Sequence, residues 1–229
     1  GKGQRSMAQV GPEEVAGYAG ADVDMTLRLV PILRKELEEK GQTRLFEEVE
    51  MPLVPVLVAM QRAGVLVDVP YLKRVDADLS RQLHDLEQRI YQEVGYPFNI
   101  NSTQQLADVL FGSLGIPTQR LPRTATGRVS TAAGVLEGLQ GQHPVIDLIL
   151  EHRQISKLLS TYVQALPALV NSRTGRIHTN FNQTGSETGR LSSSDPNLQN
   201  IPIRTELGRQ VRRAFIAPEG WRLISADYS

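Results

Sequence analysis

The most informative stretch of this sequence is "TGRLSSSDPNLQNIPIR", residues 188–204, which combines long polar side chains with a backbone stiffened by Pro196 and Pro202. Its candidate binding residues are Arg190, Asn197, Gln199, Asn200 and Arg204. Arg and Gln donors can hydrogen-bond in the minor groove of a duplex, where every base pair presents acceptors, and so sense pairing geometry without reading sequence. The alternative is a polar loop that satisfies its own turns through Asp195 and Asn197.

A second candidate is Asp227, which follows the apolar run Leu223-Ile224-Ser225-Ala226. This run predicts a strand over Arg222–Ala226 that would deliver the carboxylate at its end. A carboxylate is the hard oxygen ligand that Mg²⁺ prefers. A lone aspartate at a strand end is also a common surface or capping residue, so both interpretations stay open.

A third candidate is the pair Tyr18 and Asp22 in "YAGAD". Spacing of four residues brings both side chains to one face of a helix. There an aspartate could bind a metal ion while the phenol orients an attacking water. The alternative is an ordinary amphipathic helix.

The elements that would position these residues are mostly helical. We predict a helix from Glu13 to about Lys40 that breaks at Pro31, and a second helix capped by Thr43 and bent at Pro52 and Pro55. "GVLVD", residues 64–68, then predicts a short strand.

The clearest periodicity starts at Pro70 and predicts a long amphipathic helix that ends at Gly95. Ser102 or Thr103 can cap the next helix, and Pro144 opens a third long one. Between these helices, residues 118–134 carry Arg120, Arg123 and Arg128 without an acid and predict an exposed loop. After Asn171 the composition changes, and residues 177–181 alternate as a strand does.

Composition narrows the class of protein. The 229 residues are 40% hydrophobic and 22% charged, as in globular domains, and the absence of cysteine excludes disulfides and thiolate metal sites. No apolar run is long enough to span a bilayer, so we expect no membrane partner. The absence of cysteine fits a reducing, cytoplasmic location. Net charge is zero, but residues 173–213 carry seven arginines against three acids, which favours a polyanionic partner for that region.

The run "TGRLSSSDPNLQNIPIRTELGRQVRRAFIAPEGWRLISADYS" resembles the start of the palm of family A DNA polymerases, the family of bacterial DNA polymerase I. "RQISKLLSTY", "FNINSTQQLADVLF" and "GRVSTAAGVLE" are similar to that family's thumb, and "GYAGADVDMTLRLV" to the last helix of its 3′–5′ exonuclease domain. The resemblance implies an α+β fold. We expect an exonuclease-like end at 1–42, a thumb of long antiparallel helices at 43–171 and the first part of an antiparallel β palm at 172–229.

The resemblance also implies roles for the candidate residues. Asp227 would be the first of two palm carboxylates that hold two Mg²⁺ ions, with help from the backbone carbonyl of Tyr228. Arg190 would donate to the primer-terminal base, with Asn197, Gln199 and Asn200 nearby and Arg204 close to the primer backbone. The thumb positions near duplex phosphates would be Asn101, Ser102, Arg128, Ser130, Thr131, Arg153 and Lys157. Many relatives have a lysine where this sequence has Leu159, so one phosphate contact would be missing.

The resemblance further implies that the function is shared with other parts of a polymerase. Tyr18 and Asp22 match the exonuclease Tyr-x-x-x-Asp pair, but the family's Asp-x-Glu pair lies upstream, so we expect no exonuclease activity. The fingers and the second palm carboxylate are also expected elsewhere, in a companion chain. The expected partners are then primer-template DNA, deoxynucleoside triphosphates and that chain, in a bacterial, nucleoid-associated enzyme that is inactive without it. The alternatives are a stand-alone, non-specific duplex-binding module and a nuclease remnant.

Overall fold

The structure is a computed structural model that describes residues 5–119 and 121–228. It divides into two compact units, one up to Met60 and one from Gln61 onward. Along its described residues, no helix is long and apolar enough to cross a membrane.

The first unit is built from helices. After a 3-10 turn at Met7–Gln9, its elements are α1 (Pro12–Glu39), α2 (Thr43–Leu45), a π-helical turn (Phe46–Glu50) and the start of α3 (Met51–Ala63).

The prolines and the cap of this unit differ from the sequence predictions. α1 continues through Pro31, so the predicted break is wrong: a proline removes one backbone hydrogen bond, and the neighbouring Leu, Arg, Lys and Glu residues favour helix. The predicted cap at Thr43 is also wrong: Thr43 is the first residue of α2, and the cap position before it is held by Gln42, whose side chain forms no capping hydrogen bond. Bends were predicted at Pro52 and Pro55. The irregular part of this region is the π-helical turn that ends directly before Met51, and Pro55 lies inside α3.

The second unit has a helical part and two small sheets. Its helices are α4 (Val69–Val94), α5 (Thr103–Ala107), α6 (Ala133–Glu137), α7 (Pro144–Leu158), α8 (Ala165–Ala168) and α9 (Glu206–Arg213). π-helical turns at Asp108–Ser113 and Leu159–Val163 continue α5 and α7. The strands are β1 (Val65–Val67), β2 (Arg176–Ile177), β3 (Asn180–Asn182), β4 (Ser192–Ser194) and β5 (Phe215–Ile216).

The predicted long helix after Pro70 is confirmed as α4. Asp68 caps it by accepting a hydrogen bond from the Tyr71 amide at 2.8 Å, and Gly95 ends it with φ of 89°. A left-handed residue of this kind is a common helix end, and glycine adopts it without strain. The face that α4 buries is made of Leu72, Val75, Leu79, Leu86 and Ile90.

α4 packs against the helix that begins at Pro144, and the two run antiparallel. The Glu87 carboxylate meets His152 of α7, whereas Asp76, earlier in α4, accepts from Gln164, which follows α7 in the chain. The core between them contains Ile146, Ile149, Ile155 and Leu158. This pair of long helices contributes much of the hydrophobic core of the second unit.

The strands form two antiparallel sheets. One has the order β2-β1-β5, with Val65 opposite Ile177 and Leu66 opposite Ile216. The other pairs β3 with β4, with Phe181 opposite Ser193. Helices and antiparallel strands together confirm the α+β class.

Two predicted strands need correction. The strand predicted over 177–181 is split between β2 and β3, because the chain leaves the first sheet after Ile177 and joins the second at Asn180. Residues 222–226 are exposed and form no strand, since no other segment of the described chain pairs with them.

Candidate nucleic-acid interface

Five of the seven predicted phosphate-contacting residues line one cleft of the second unit. The cleft has a volume of about 760 Å³ and contains Asn101, Arg128, Ser130, Thr131 and Arg153. Its other polar lining residues are Thr103, Gln104, Thr124 and Thr126. Side chains from three separate parts of the sequence therefore converge on one recess that is rich in donors.

The two arginines of the cleft are held by different contacts. Arg153 of α7 donates to the backbone carbonyl of Thr131, and its second terminal nitrogen lies 3.5 Å from the Thr131 hydroxyl. Arg128 donates from Nη1 to the Asp108 carboxylate at 3.0 Å. Arg153 thus fastens the loop to α7, whereas Arg128 stands on the surface beside an acid.

The environment of Arg153 is partly desolvated. Burial lowers the pKa of its guanidinium from the ordinary value. An arginine nevertheless keeps its charge in proteins. The cleft therefore retains the positive charge of Arg153.

The other two predicted residues lie beside the cleft. The Ser102 hydroxyl accepts from the Gln105 amide at 3.3 Å and caps α5, which confirms it, and not Thr103, as the cap. Lys157 is exposed one helical turn after Arg153 and lines an adjoining recess with it.

Thr131 is only 5% exposed, and Leu159 is buried in the core. Arg120, in the predicted loop, lies outside the described residues.

The segment between residues 188 and 204 presents its predicted donors to solvent. Arg190, Asn197, Gln199, Asn200 and Arg204 are all exposed. Asn197 Oδ1 accepts from the Gln199 amide at 3.0 Å, so the turn chemistry of the alternative interpretation is present as well. Among the described residues, neither Arg190 nor Arg204 forms an ion pair.

Two buried hydroxyl groups join this segment to the chain before β3. They belong to Thr179 and to Ser193, which is part of the segment, and their oxygens lie 2.6 Å apart. The sequence prediction missed both, as it missed Asp108. A threonine after a short strand and a serine within a serine run carry no signal of long-range pairing. Only the β3–β4 hairpin brings them together.

The remaining candidates are exposed and are not gathered into a site. Asp227 and Tyr228 lie in the exposed segment 221–228, and Tyr18 and Asp22 are exposed on α1 of the first unit. Within residues 5–119 and 121–228, no group of three or more His, Cys, Asp or Glu side chains could hold a metal ion.

A family-level match decides where the chain belongs. The model of DNA polymerase family A matches residues 69–229, which include the cleft, the 188–204 segment and Asp227. The chain belongs to DNA polymerase family A.

Individual members of the family are close in sequence and in structure. DNA polymerase I of Chloroflexus aurantiacus is 51% identical over 232 residues, covering 100% of this chain and 25% of that protein. The thermostable DNA polymerase I of Thermus thermophilus is 49% identical over 215 residues, covering 92% of this chain and 25% of that protein. The POL domain of Pol1 from M. smegmatis, solved in complex with DNA primer-template and dNTP, has a TM-score of 0.77 at 40% identity.

That superposition covers 85% of this chain and 34% of the Pol1 chain. The chain thus spans about a quarter of the length of the curated relatives that it matches.

Proposed function

We propose that this chain is the duplex-binding part of a DNA-directed DNA polymerase and supplies the first metal-binding carboxylate of its active site. The observation that carries the proposal is the convergence of Asn101, Arg128, Ser130 and Arg153 on one cleft. Membership of DNA polymerase family A and the structural similarity to a POL domain solved with primer-template and dNTP support it.

The composition of the cleft suits a phosphate backbone. Its polar lining is made of amides, hydroxyls and two arginines, and Asp108 is the acid that faces Arg128. Contacts of this kind to phosphates position a duplex without carrying sequence information. Lys157 lies with Arg153 in the adjoining recess, whose other charged residues are Glu137, Asp147 and Glu151. We therefore infer salt-dependent binding with little sequence preference.

The exposed segment 188–204 would contact the minor groove. Arg190 and Gln199 are donors, and donors meet an acceptor at every correctly paired position of that groove. Arg204 would lie near the primer backbone, and Asn197 and Asn200 beside the groove. This division of labour lets one region hold the duplex while the other senses its pairing.

The chemistry of the Asp227 region fits a divalent cation. Its carboxylate is exposed, has no ion pair within the described chain, and is followed by the backbone carbonyl of Tyr228. Both are the hard oxygen ligands that Mg²⁺ binds. Two such ions, when bound, activate the primer 3′-hydroxyl and stabilise the triphosphate charge. We propose that Asp227 is one ligand and that a second carboxylate and the nucleotide-binding fingers come from the rest of the polymerase, in one or two polypeptides.

The first experiment tests duplex binding by the chain itself. Fluorescence anisotropy with a labelled primer-template should give salt-dependent binding that the double variant Arg128→Ala/Lys157→Ala weakens. The matched control is Arg81→Ala/Lys73→Ala, which removes two exposed cations of α4 that do not line the cleft. Equal losses in both double variants would contradict the cleft as the binding site.

The second experiment tests the catalytic assignment. A chimaera should be prepared in which this chain replaces the matching quarter of the Chloroflexus aurantiacus polymerase, so that the missing parts are present. We expect Mg²⁺-dependent primer extension that Asp227→Asn abolishes while duplex affinity is unchanged. A chimaera that binds the duplex and folds but does not extend primers would favour the alternative, a stand-alone duplex-binding module.

A further inference from the structure

We propose that Thr179 and Ser193 are positioning residues that fix the orientation of Asn197 and Gln199 toward the duplex. The inference deepens the proposed function and rests on it. Neither residue is exposed enough to touch DNA: Thr179 is 6% and Ser193 is 4% exposed. Their role would be carried out through the loop above them.

The two side chains form the base of that loop. Thr179 lies in the link between β2 and β3, and Ser193 lies in β4, which pairs with β3. Their hydroxyl oxygens are 2.6 Å apart. The Thr179 oxygen lies 2.8 Å from the Pro196 carbonyl oxygen, and the Leu198 amide donates to the Ser193 oxygen at 3.1 Å.

One arrangement of hydrogens satisfies these three contacts. Its two hydroxyl donations, at 2.6 and 2.8 Å, are shorter than the competing contacts from Thr179 Oγ1 to the Ser194 carbonyl, 3.1 Å, and from Ser193 Oγ to the Pro196 carbonyl, 3.3 Å. The Leu198 amide has the only fixed hydrogen, so Ser193 must accept it. The Ser193 hydroxyl can then donate to Thr179, and the Thr179 hydroxyl to the Pro196 carbonyl. The result is a chain of three hydrogen bonds in which each hydroxyl donates once and accepts once, as a hydroxyl can.

This series of hydrogen bonds ends at two backbone groups on either side of Asn197, the carbonyl of Pro196 and the amide of Leu198. The Pro196 carbonyl and the Leu198 amide are both hydrogen-bonded to this pair of hydroxyls, so rotation of the backbone at Asn197 would break one of these part-buried hydrogen bonds. The Asn197 side chain in turn accepts from the Gln199 amide at 3.0 Å. Buried networks that are fully satisfied rigidify the backbone they hold. We infer that the hydroxyl pair sets the geometry of the minor-groove contacts.

A purely structural role predicts a different result. If the pair only stabilised the hairpin, its loss would lower the stability but leave the contribution of Gln199 to binding unchanged. If it positions the loop, the contributions of Thr179 and Gln199 will not be additive. A double-mutant cycle separates these two cases.

The cycle uses duplex affinity of the chain measured by anisotropy, with Thr179→Val, Gln199→Ala and the double variant. We expect Gln199→Ala to weaken binding in the parent and to have an effect at least about twofold smaller in the Thr179→Val background. Thr179→Ser, which keeps the hydroxyl, should restore the parental effect. The matched control is Thr184→Val, which removes an exposed hydroxyl bonded to Asn182 in the same region.

Two results would overturn the inference. An equal effect of Gln199→Ala in the parent and in Thr179→Val would leave the hydroxyl pair a structural role only, while the proposed function would stand. No effect of Gln199→Ala in the parent would overturn both the minor-groove proposal and this one.

A second measurement does not depend on DNA or on the folding of the valine variant. Ser193→Ala removes the acceptor of the Leu198 amide. Hydrogen exchange at Leu198 should become at least about tenfold faster in Ser193→Ala and stay unchanged in Thr184→Val. Unchanged exchange in Ser193→Ala would show that the network does not hold the loop.

Discussion

Arg128 donates from Nη1 to Asp108 Oδ1 at 3.0 Å, joining the loop that follows α5 to the π-helical turn on which Asp108 lies. Both side chains are well exposed, at 44% for Arg128 and 64% for Asp108. If Arg128 contacts a duplex phosphate, as we propose, that phosphate would compete with the Asp108 carboxylate for the same guanidinium. We therefore expect the ion pair to lower the duplex affinity, since a carboxylate beside the arginine also repels the DNA backbone.

Asp108→Asn should strengthen duplex binding. An exposed ion pair contributes about 0.2–1 kcal/mol, so releasing Arg128 should lower the Kd by up to ~5-fold. Anisotropy titrations at low ionic strength measure the change. The control is Asp78→Asn, which frees Arg81 from an equivalent exposed pair on α4, outside the cleft. An equal gain in duplex affinity in Asp78→Asn would mean that the effect comes from the change in net charge and not from the release of Arg128.

Lys157→Ala should change the salt dependence of binding. Each phosphate contact that is lost removes about 0.9 from the slope of log K against log salt concentration. We therefore expect a slope that is shallower by about that amount. Lys73→Ala removes an exposed lysine of α4 and serves as control. A slope unchanged from the parent in Lys157→Ala would exclude this lysine from phosphate contact.

Local patterns predicted the elements of this fold better than its contacts. The stripe from Leu72 to Ile90, the stop at Gly95 and a cap at Ser102 or Thr103 depend on residues close in sequence. The structure confirms the stripe and the stop, and of the two candidate caps it selects Ser102. The strand expected at 222–226 failed because a strand needs a partner, which its own sequence cannot supply.

The candidate site shows the same division. Seven phosphate-contacting residues were predicted from a family resemblance, and the structure brings five of them to one cleft. The bonds of Arg153 to Thr131 and of Thr179 to Ser193 could not be predicted, because each joins residues more than ten positions apart. Such contacts depend on how the helices and strands pack, so a pattern in the neighbouring sequence does not predict them.

Gly208→Ala should perturb segment 188–204 through packing. Gly208 is buried in α9, and a Cβ there would clash with the carbonyl oxygen of Pro202 and lie 2.7 Å from its Cβ. Because the obstacle includes backbone, the 200–204 segment must shift, and we expect lower stability, by about 1–3 kcal/mol, and weaker duplex binding. Urea unfolding and anisotropy measure the two effects.

The control for this substitution is Gly17→Ala. Gly17 lies in α1 with nothing within 4 Å of a Cβ at that position. There alanine should stabilise the helix by up to about 1 kcal/mol. A Gly208→Ala chain as stable as the parent would mean that Pro202 moves freely and does not fix the segment.

His152→Leu tests whether a buried polar residue beside Arg153 serves packing alone. The His152 side chain is fully buried on α7, and its Nε2 lies 3.3 Å from Glu87 Oε1. Because a carboxylate only accepts, Nε2 carries a hydrogen, and in the neutral imidazole Nδ1 is then a buried acceptor without a partner among the described residues. An unsatisfied buried group of this kind costs about 1–3 kcal/mol.

Leucine removes that unsatisfied acceptor and keeps the core filled, and Glu87, a third exposed, can be hydrated instead. We expect His152→Leu to be at least as stable as the parent in urea unfolding, whereas His152→Ala should lose about 2–4 kcal/mol because it leaves a cavity between α4 and α7. Duplex affinity should be unchanged in the leucine variant, since Arg153 keeps its bond to Thr131. A leucine variant that is stable but binds the duplex several-fold more weakly would instead give the Glu87–His152 contact a role in orienting Arg153.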